Sequence, residues 1–402
     1  MKRLRLSLSV LTLVSLWSLT ATRTQAASLP TCTSSITACC EITAAGTYVV
    51  TSPLTSTDPA ADCIDINAAN VNLFDAGNAI TGPGSGATGV GINVLKKAKN
   101  AAVLLADPSP NSTTSETTIS GFGTGIEVAA DATVGAFIAN NNVTNGVFIN
   151  GAKNCQIYSF SADNNSVGVL ITGGSGCAVH DFEADSNSSL GLSLSKAKSM
   201  KFFDFETSFN AGSGMSLDAS SSNTFYDFNA DNNSVTGIFL NSKSNKNYLA
   251  NFDASSNPSG SGITVQSSSS NQLVDFDAYD NGVYGVWLVG ADSNTVSYFF
   301  TFGDALAGVY LGCSTTGPNG CSSSASSKNT LSGGSAGNDG VISQSYGVAV
   351  DTGDLKNTLT GIGAAGDTTT DLFDNNANCG TNVWSLTSAG TTSPSSCIAT
   401  TP

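Results

Sequence analysis

Apolar stretches of four to six residues, broken by clusters of Asn, Asp, Gly and Ser, run through most of the 402-residue chain. Such stretches are too short for helices and suit strands joined by tight turns. One phenylalanine recurs in SFSADNNSVGVLI, DFEADSNSSLGLSL, DFETSFNAGSGMSL, DFNADNNSVTGIFL, NFDASSNPSGSGITV, DFDAYDNGVYGVWL and YFFTFGDALAGVYL, at Phe160, Phe182, Phe205, Phe228, Phe252, Phe276 and Phe299. The spacings are 22, 23, 23, 24, 24 and 23 residues. Each unit also carries a short Gly-Φ-x-Φ strand, at Gly168, Gly191, Gly214, Gly237, Gly262, Gly285 and Gly308, whose alternation puts two apolar residues inward and one outward. A fixed period of this length marks a repeat architecture in which each unit buries its face only against its neighbours. The fold expected is all-β, a single-stranded parallel β-helix of about 13 coils, stacked about 4.8 Å apart into a rod roughly 60 Å long.

Two asparagine columns support that reading. Asn165, Asn187, Asn210, Asn233, Asn257 and Asn281 lie five residues after the aligned phenylalanines. Asn223, Asn247, Asn271 and Asn294 lie five before, with Asn329 and Asn357 continuing the series. Stacked amides satisfy turn groups from one coil to the next, a structural task. Cys155 and Cys177 occupy the second column in adjacent coils, so a disulfide is expected between them, and Cα atoms more than about 7 Å apart would break this register.

MKRLR, an apolar LSLSVLTLVSLW run and small residues before Ala26 read as a signal peptide over 1–26. Secretion follows, to the extracellular space, cell surface or periplasm, and the ten cysteines are expected to pair. Cys313 with Cys321 and Cys379 with Cys397 close local loops; Cys32 with Cys39 and Cys40 with Cys63 are the pairs expected near the start. The organisation expected is a disulfide-rich cap over 27–63, the β-helix over 64–375 and a disulfide-closed tail over 376–402. Past residue 26 there is no arginine, and eleven lysines against thirty acidic residues leave a net charge of −19. That balance excludes phosphate-neutralising nucleic-acid binders, and the single histidine supplies little for soft metals.

The repeats resemble those of right-handed parallel β-helix proteins of the pectin-lyase-like superfamily, including NosD-like repeat proteins, most clearly from about residue 119 to 311. The resemblance implies a right-handed coil and little about activity, since that architecture hosts lyases, hydrolases, epimerases, adhesins and binding proteins. Lyases and epimerases of this kind steady a substrate carboxylate with a cation. Here a lysine such as Lys201 would stand alone beside an acidic stripe. The Gly-His-Gly segment of polygalacturonase-like hydrolases is replaced by Val-His-Asp around His180. Copper delivery lacks its ligands, and an ice-binding face lacks its threonine columns.

Flanking the aligned phenylalanines are Asp181, Asp204, Asp227, Asn251 and Asp275 on one side and Glu183, Glu206, Asn229, Asp253 and Asp277 on the other. With the phenylalanines inward, both columns face water. Like charges so close raise some carboxyl pKa values, as a glycosidase acid needs, which makes Asp204, Glu206 and Asp227, with His180 beside Asp181, the catalytic candidates. The alternative is a solvated acidic stripe. Stacked carboxylate and amide oxygens also suit Ca²⁺; no other cofactor is expected. The outward Gly-Φ-x-Φ positions hold Phe239, Trp287 and Tyr310, which with Tyr284 form a candidate platform for sugar rings; coverage by the Cys313 loop is the competing reading. Lysines at 96, 97, 99, 153, 196, 198, 243 and 246 suggest a basic edge elsewhere on the coil. The role expected is extracellular binding or surface structure with a polysaccharide or cell-surface glycan as partner. The alternative is a glycoside hydrolase or lyase using the acidic columns.

Overall fold

The computed structural model describes residues 28–75, 77–106, 116–313, 325–338 and 343–400. The leader expected over 1–26 and Cys321 lie outside them. Each turn contributes to two long sheets, one of 15 strands and one of 21 strand segments. Neighbours run parallel, as where Val167–Thr172 pairs with Leu190–Ser195 and Gln156–Ser161 with Ala178–Glu183. The one described helical element is a 3-10 turn at Ala377–Cys379. The chain is therefore an all-β parallel solenoid of about 14 turns.

The register is the one the aligned phenylalanines dictate. Phe160 stands against Phe182, Phe182 against Phe205, and so on to Phe276 against Phe299. Their rings stack inside the coil at 4.7 to 5.0 Å between centroids as far as Phe276, and Phe137 begins the stack one turn earlier. Val169, Ile171, Leu192 and Leu194 fill the opposite side of the same core.

Glycine opens each inner strand because the core leaves no room there. A Cβ on Gly168 would lie 2.8 Å from the Asn187 amide nitrogen and 2.8 Å from the Gly191 carbonyl oxygen. The asparagines that crowd it form a ladder. The Asn165 backbone N–H donates to Asn187 Oδ1 at 2.8 Å, Asn187 to Asn210 at 2.9 Å and Asn210 to Asn233 at 3.0 Å. Asn142 extends the ladder upstream, and Asp304, Gln344 and Asp367 continue it downstream. The second ladder runs from Asn223 through Asn247, Asn271, Asn294 and Asn329 to Asn357 and ends at Asn382. Removing these amides from water is tolerable because their oxygens each accept a backbone N–H, although the amide nitrogens of Asn187 and Asn233 lack a partner.

Cys155 and Cys177 are bonded with Cα atoms 4.4 Å apart, and Cys379 is bonded to Cys397. The pairing expected near the start is corrected. Cys32 bonds Cys40 and Cys39 bonds Cys63. The reason is register: Cys40 lies opposite Ile64, which sets Cys39 beside Cys63 one turn on. Winding already includes these residues, since Cys40–Ile42 pairs with Ile64–Ile66, and it continues through Val383–Ala389. Cys313 is disulfide-bonded, while its expected partner falls outside the described residues.

Candidate functional site

The strands bearing the phenylalanine stack bend in mid-course. Asp181, Asp204, Asp227, Asn251 and Asp275 all adopt left-handed backbone conformations, with φ between 52° and 56°. Aspartate and asparagine are among the few non-glycine residues that enter this region readily, so the backbone itself accounts for the residue type in this column. The bend also turns the residue on each side of the phenylalanine outward and opens a trough along the rod.

The trough encloses about 900 Å³ and is lined by the phenylalanine edges and by two walls. One wall is the left-handed column from Ser159 to Asp275; the other comprises Ser161, Glu183, Glu206, Asn229, Asp253 and Asp277, with Glu116 near one end. Among the described residues no lysine lines it. In the second wall the strand conformation is ordinary, so its acidity has no backbone cause. Asn251 donates to Asp227 across one turn, and Ser255 donates to Asp253. Asp204, Glu206 and Asp227 are thus brought together on the trough, on consecutive turns.

His180 stands apart from them on the outer face. Its ring is stacked between Tyr158 and Phe203, at 5.5 and 4.3 Å, and Nδ1 lies 2.9 Å from Asp181 Oδ2. Its side chain keeps 12% of its surface exposed, within an aromatic ladder that continues to Tyr226.

Burial raises Glu116 and Asp277 on the trough, and it also raises carboxyl groups at its margin. Burial pushes Asp185 up to about 7, with Glu206, Asp163 and Glu183 adding to the effect against a hydrogen bond from Ser208. Burial also raises Asp231, with Asp253 and Glu206 contributing. Both lie three residues past the aligned phenylalanine, in a column that also holds Asn140, Asp163, Ser208 and Ser255. Asp185 Oδ1 accepts the Ser208 backbone N–H at 2.6 Å, and Asp231 Oδ1 accepts that of Ser255 at 2.7 Å. They are rungs of a further ladder at the trough margin. The repeated Ala-Asp in SFSADNN, DFEADSN and DFNADNN was the signal that would have revealed them.

The aromatic platform does not stand as expected. Tyr284 and Tyr310 are fully buried, and Tyr310 donates to Asp351 Oδ2 at 2.9 Å. Trp287 is half-buried, with Nε1 donating to the Gly312 carbonyl at 2.7 Å. Phe239 lies two turns away, with Thr264 between it and Trp287. Strand alternation points these residues out of the coil, but the outer face there is covered. Among the described residues no group of three or more His, Cys, Asp or Glu side chains is placed to hold a metal ion.

A family description, "Right handed beta helix region", matches residues 101–254. The A-module of mannuronan C-5 epimerase AlgE4 from Azotobacter vinelandii superposes with a TM-score of 0.53 at 13% identity, over 87% of this chain and 89% of that one. In fold the chain is a right-handed parallel β-helix. The β-helix is also similar to the DFA-IIIase of Arthrobacter chlorophenolicus A6 in complex with GF2, with a TM-score of 0.47 at 12% identity, over 79% and 82% of the two chains. No curated protein sequence matches it. Identities this low identify the coil and leave its chemistry to its own residues.

Proposed function

We propose that this β-helix is an exported protein that binds a linear polysaccharide along the trough. Export is supported by the expected leader and by the disulfides at Cys32–Cys40, Cys39–Cys63, Cys155–Cys177 and Cys379–Cys397. The observation that carries the binding reading is the repetition of the trough. Side-chain oxygens recur on both walls at every turn from Asp181 to Asp277, so no one turn of the trough is set apart as a site for a small ligand. A repeating surface matches a repeating ligand. Affinity should therefore rise with oligosaccharide length until the trough is filled, and equal affinity for a disaccharide and a hexasaccharide of one series would refute the reading.

The second reading is hydrolysis, favoured by Asp185 and Asp231, each raised by burial and each near Glu206. A carboxyl that keeps its proton near neutrality suits a general acid. New reducing ends from a bound polysaccharide, lost in Glu206→Gln, would establish it; retention without turnover leaves the binding reading.

A further inference from the structure

The trough changes character at one step. Where Phe276 passes to Phe299, the flanking Asp275 and Asp277 give way to Tyr298 and Phe300. These rings are 66% and 48% exposed, and Phe302 packs beside Phe300 at 4.2 Å. Burial does not account for them. Nor does the backbone account for Tyr298, which holds φ 53° where the preceding turns place Asp or Asn. Beyond it the same column falls to Gly333 and Gly361, both exposed, and rises again at Leu386, which is 68% exposed. The Tyr298 ring lies close over Gly333. The outcome is an open apolar bay with a glycine floor, continuous with the acidic trough.

We infer that bay and trough together hold a linear polysaccharide bearing free amino groups, a glucosamine polymer. This rests on the polysaccharide reading above and names its charge class. The apolar face of one sugar ring lies on Tyr298 or Phe300, and the ammonium groups of its neighbours meet the carboxylates of preceding turns. Charge complementarity selects this occupant. Asp181 with Glu183, Asp204 with Glu206 and Asp275 with Asp277 put carboxylates on both walls of the same turns, and no lysine among the described residues lines the trough. A polyuronate would meet like charge, and a neutral glycan would leave the carboxylates without counter-charges. Successive β-linked rings turn over, so their amines face alternate walls, and both walls are supplied. A basic peptide satisfies the carboxylates but brings no flat apolar ring to the bay.

The test is calorimetric titration of the full chain, at mildly acidic pH, with four probes: a glucosamine hexamer, its N-acetylated counterpart, a uronate hexamer and a lysine oligomer. The glucosamine hexamer should bind about tenfold or more tightly than the others and weaken strongly as salt rises. Tyr298→Ala should cost about tenfold and Tyr298→Phe little, with thermal unfolding unchanged because the ring is exposed. The double variant D275N/D277N should lose affinity and much of the salt dependence. Tighter or equal binding of the N-acetylated or uronate hexamer overturns the charge class and leaves the polysaccharide reading intact. Preference for the lysine oligomer overturns the occupant, and failure of all three sugars to bind overturns both readings.

Discussion

The asparagine ladders inside the coil and the acidic walls outside it are both columns of one residue type, recurring every turn. Their partners separate them. From Asn165 to Asn281 and from Asn223 to Asn357 the ladder amides are buried and their oxygens accept a backbone N–H from the turn before, whereas the walls stand in or near water and mostly face the trough. Repetition in a solenoid thus points outward only where the repeated groups keep hydrogen-bonding capacity that the coil has not spent.

The largest test of that contrast is in the ladder. Asn247 accepts from the Asn223 backbone and amide nitrogens and donates to Ser220 and Asn271. Asn247→Ala should lower unfolding stability by about 3 kcal/mol in denaturant titrations, because buried backbone groups lose their partners. A loss below about 0.5 kcal/mol would erase the distinction from surface positions.

A pH profile comes next. Burial raises Asp185, Asp354 and Asp367 to about 7 from an ordinary value of 3.8. The folded chain therefore holds protons that the unfolded chain releases. The stabilisation is fully present below pH 3.8 and is lost as pH rises through about 7. The unfolding temperature should fall between about pH 5 and pH 8, and a rise over that interval would contradict the burial of these carboxyls.

The smallest effects distinguish the two walls. Asp204→Val forces a β-branched residue into the left-handed region and should cost about 1 to 2 kcal/mol, whereas Asp204→Gly should not destabilise. Glu206→Val, in ordinary strand geometry, should stay within about 0.5 kcal/mol of the parent. Equal costs at the two positions would remove the backbone explanation for one wall.

Much of this was legible in the residues. The phenylalanine spacing, the two asparagine columns and the Cys155–Cys177 pair all follow from stacking at one turn per period. The mid-strand bend was not, since alternation assumes an unbroken pleat and cannot anticipate that Phe202 and Phe205, three residues apart, both face the core through a left-handed step at Asp204. Nor could alternation report what lies over a strand, so Tyr310 reads as exposed although Asp351, 41 residues on, receives its hydroxyl. The pairing of Cys39 with Cys63 was recoverable by setting CCEI over CIDI, which aligns the first cysteine of each.

Because every rung from Asn165 to Asn281 presents the same amide to the turn before it, that stretch of the coil has no unique middle. Excising 234–257 would bring Asn233 against Asn281, a junction chemically equivalent to the one removed, and would shorten the trough by a single step. The length of the trough is thus one that insertion or loss of whole windings can adjust, with the joints on either side left as they were.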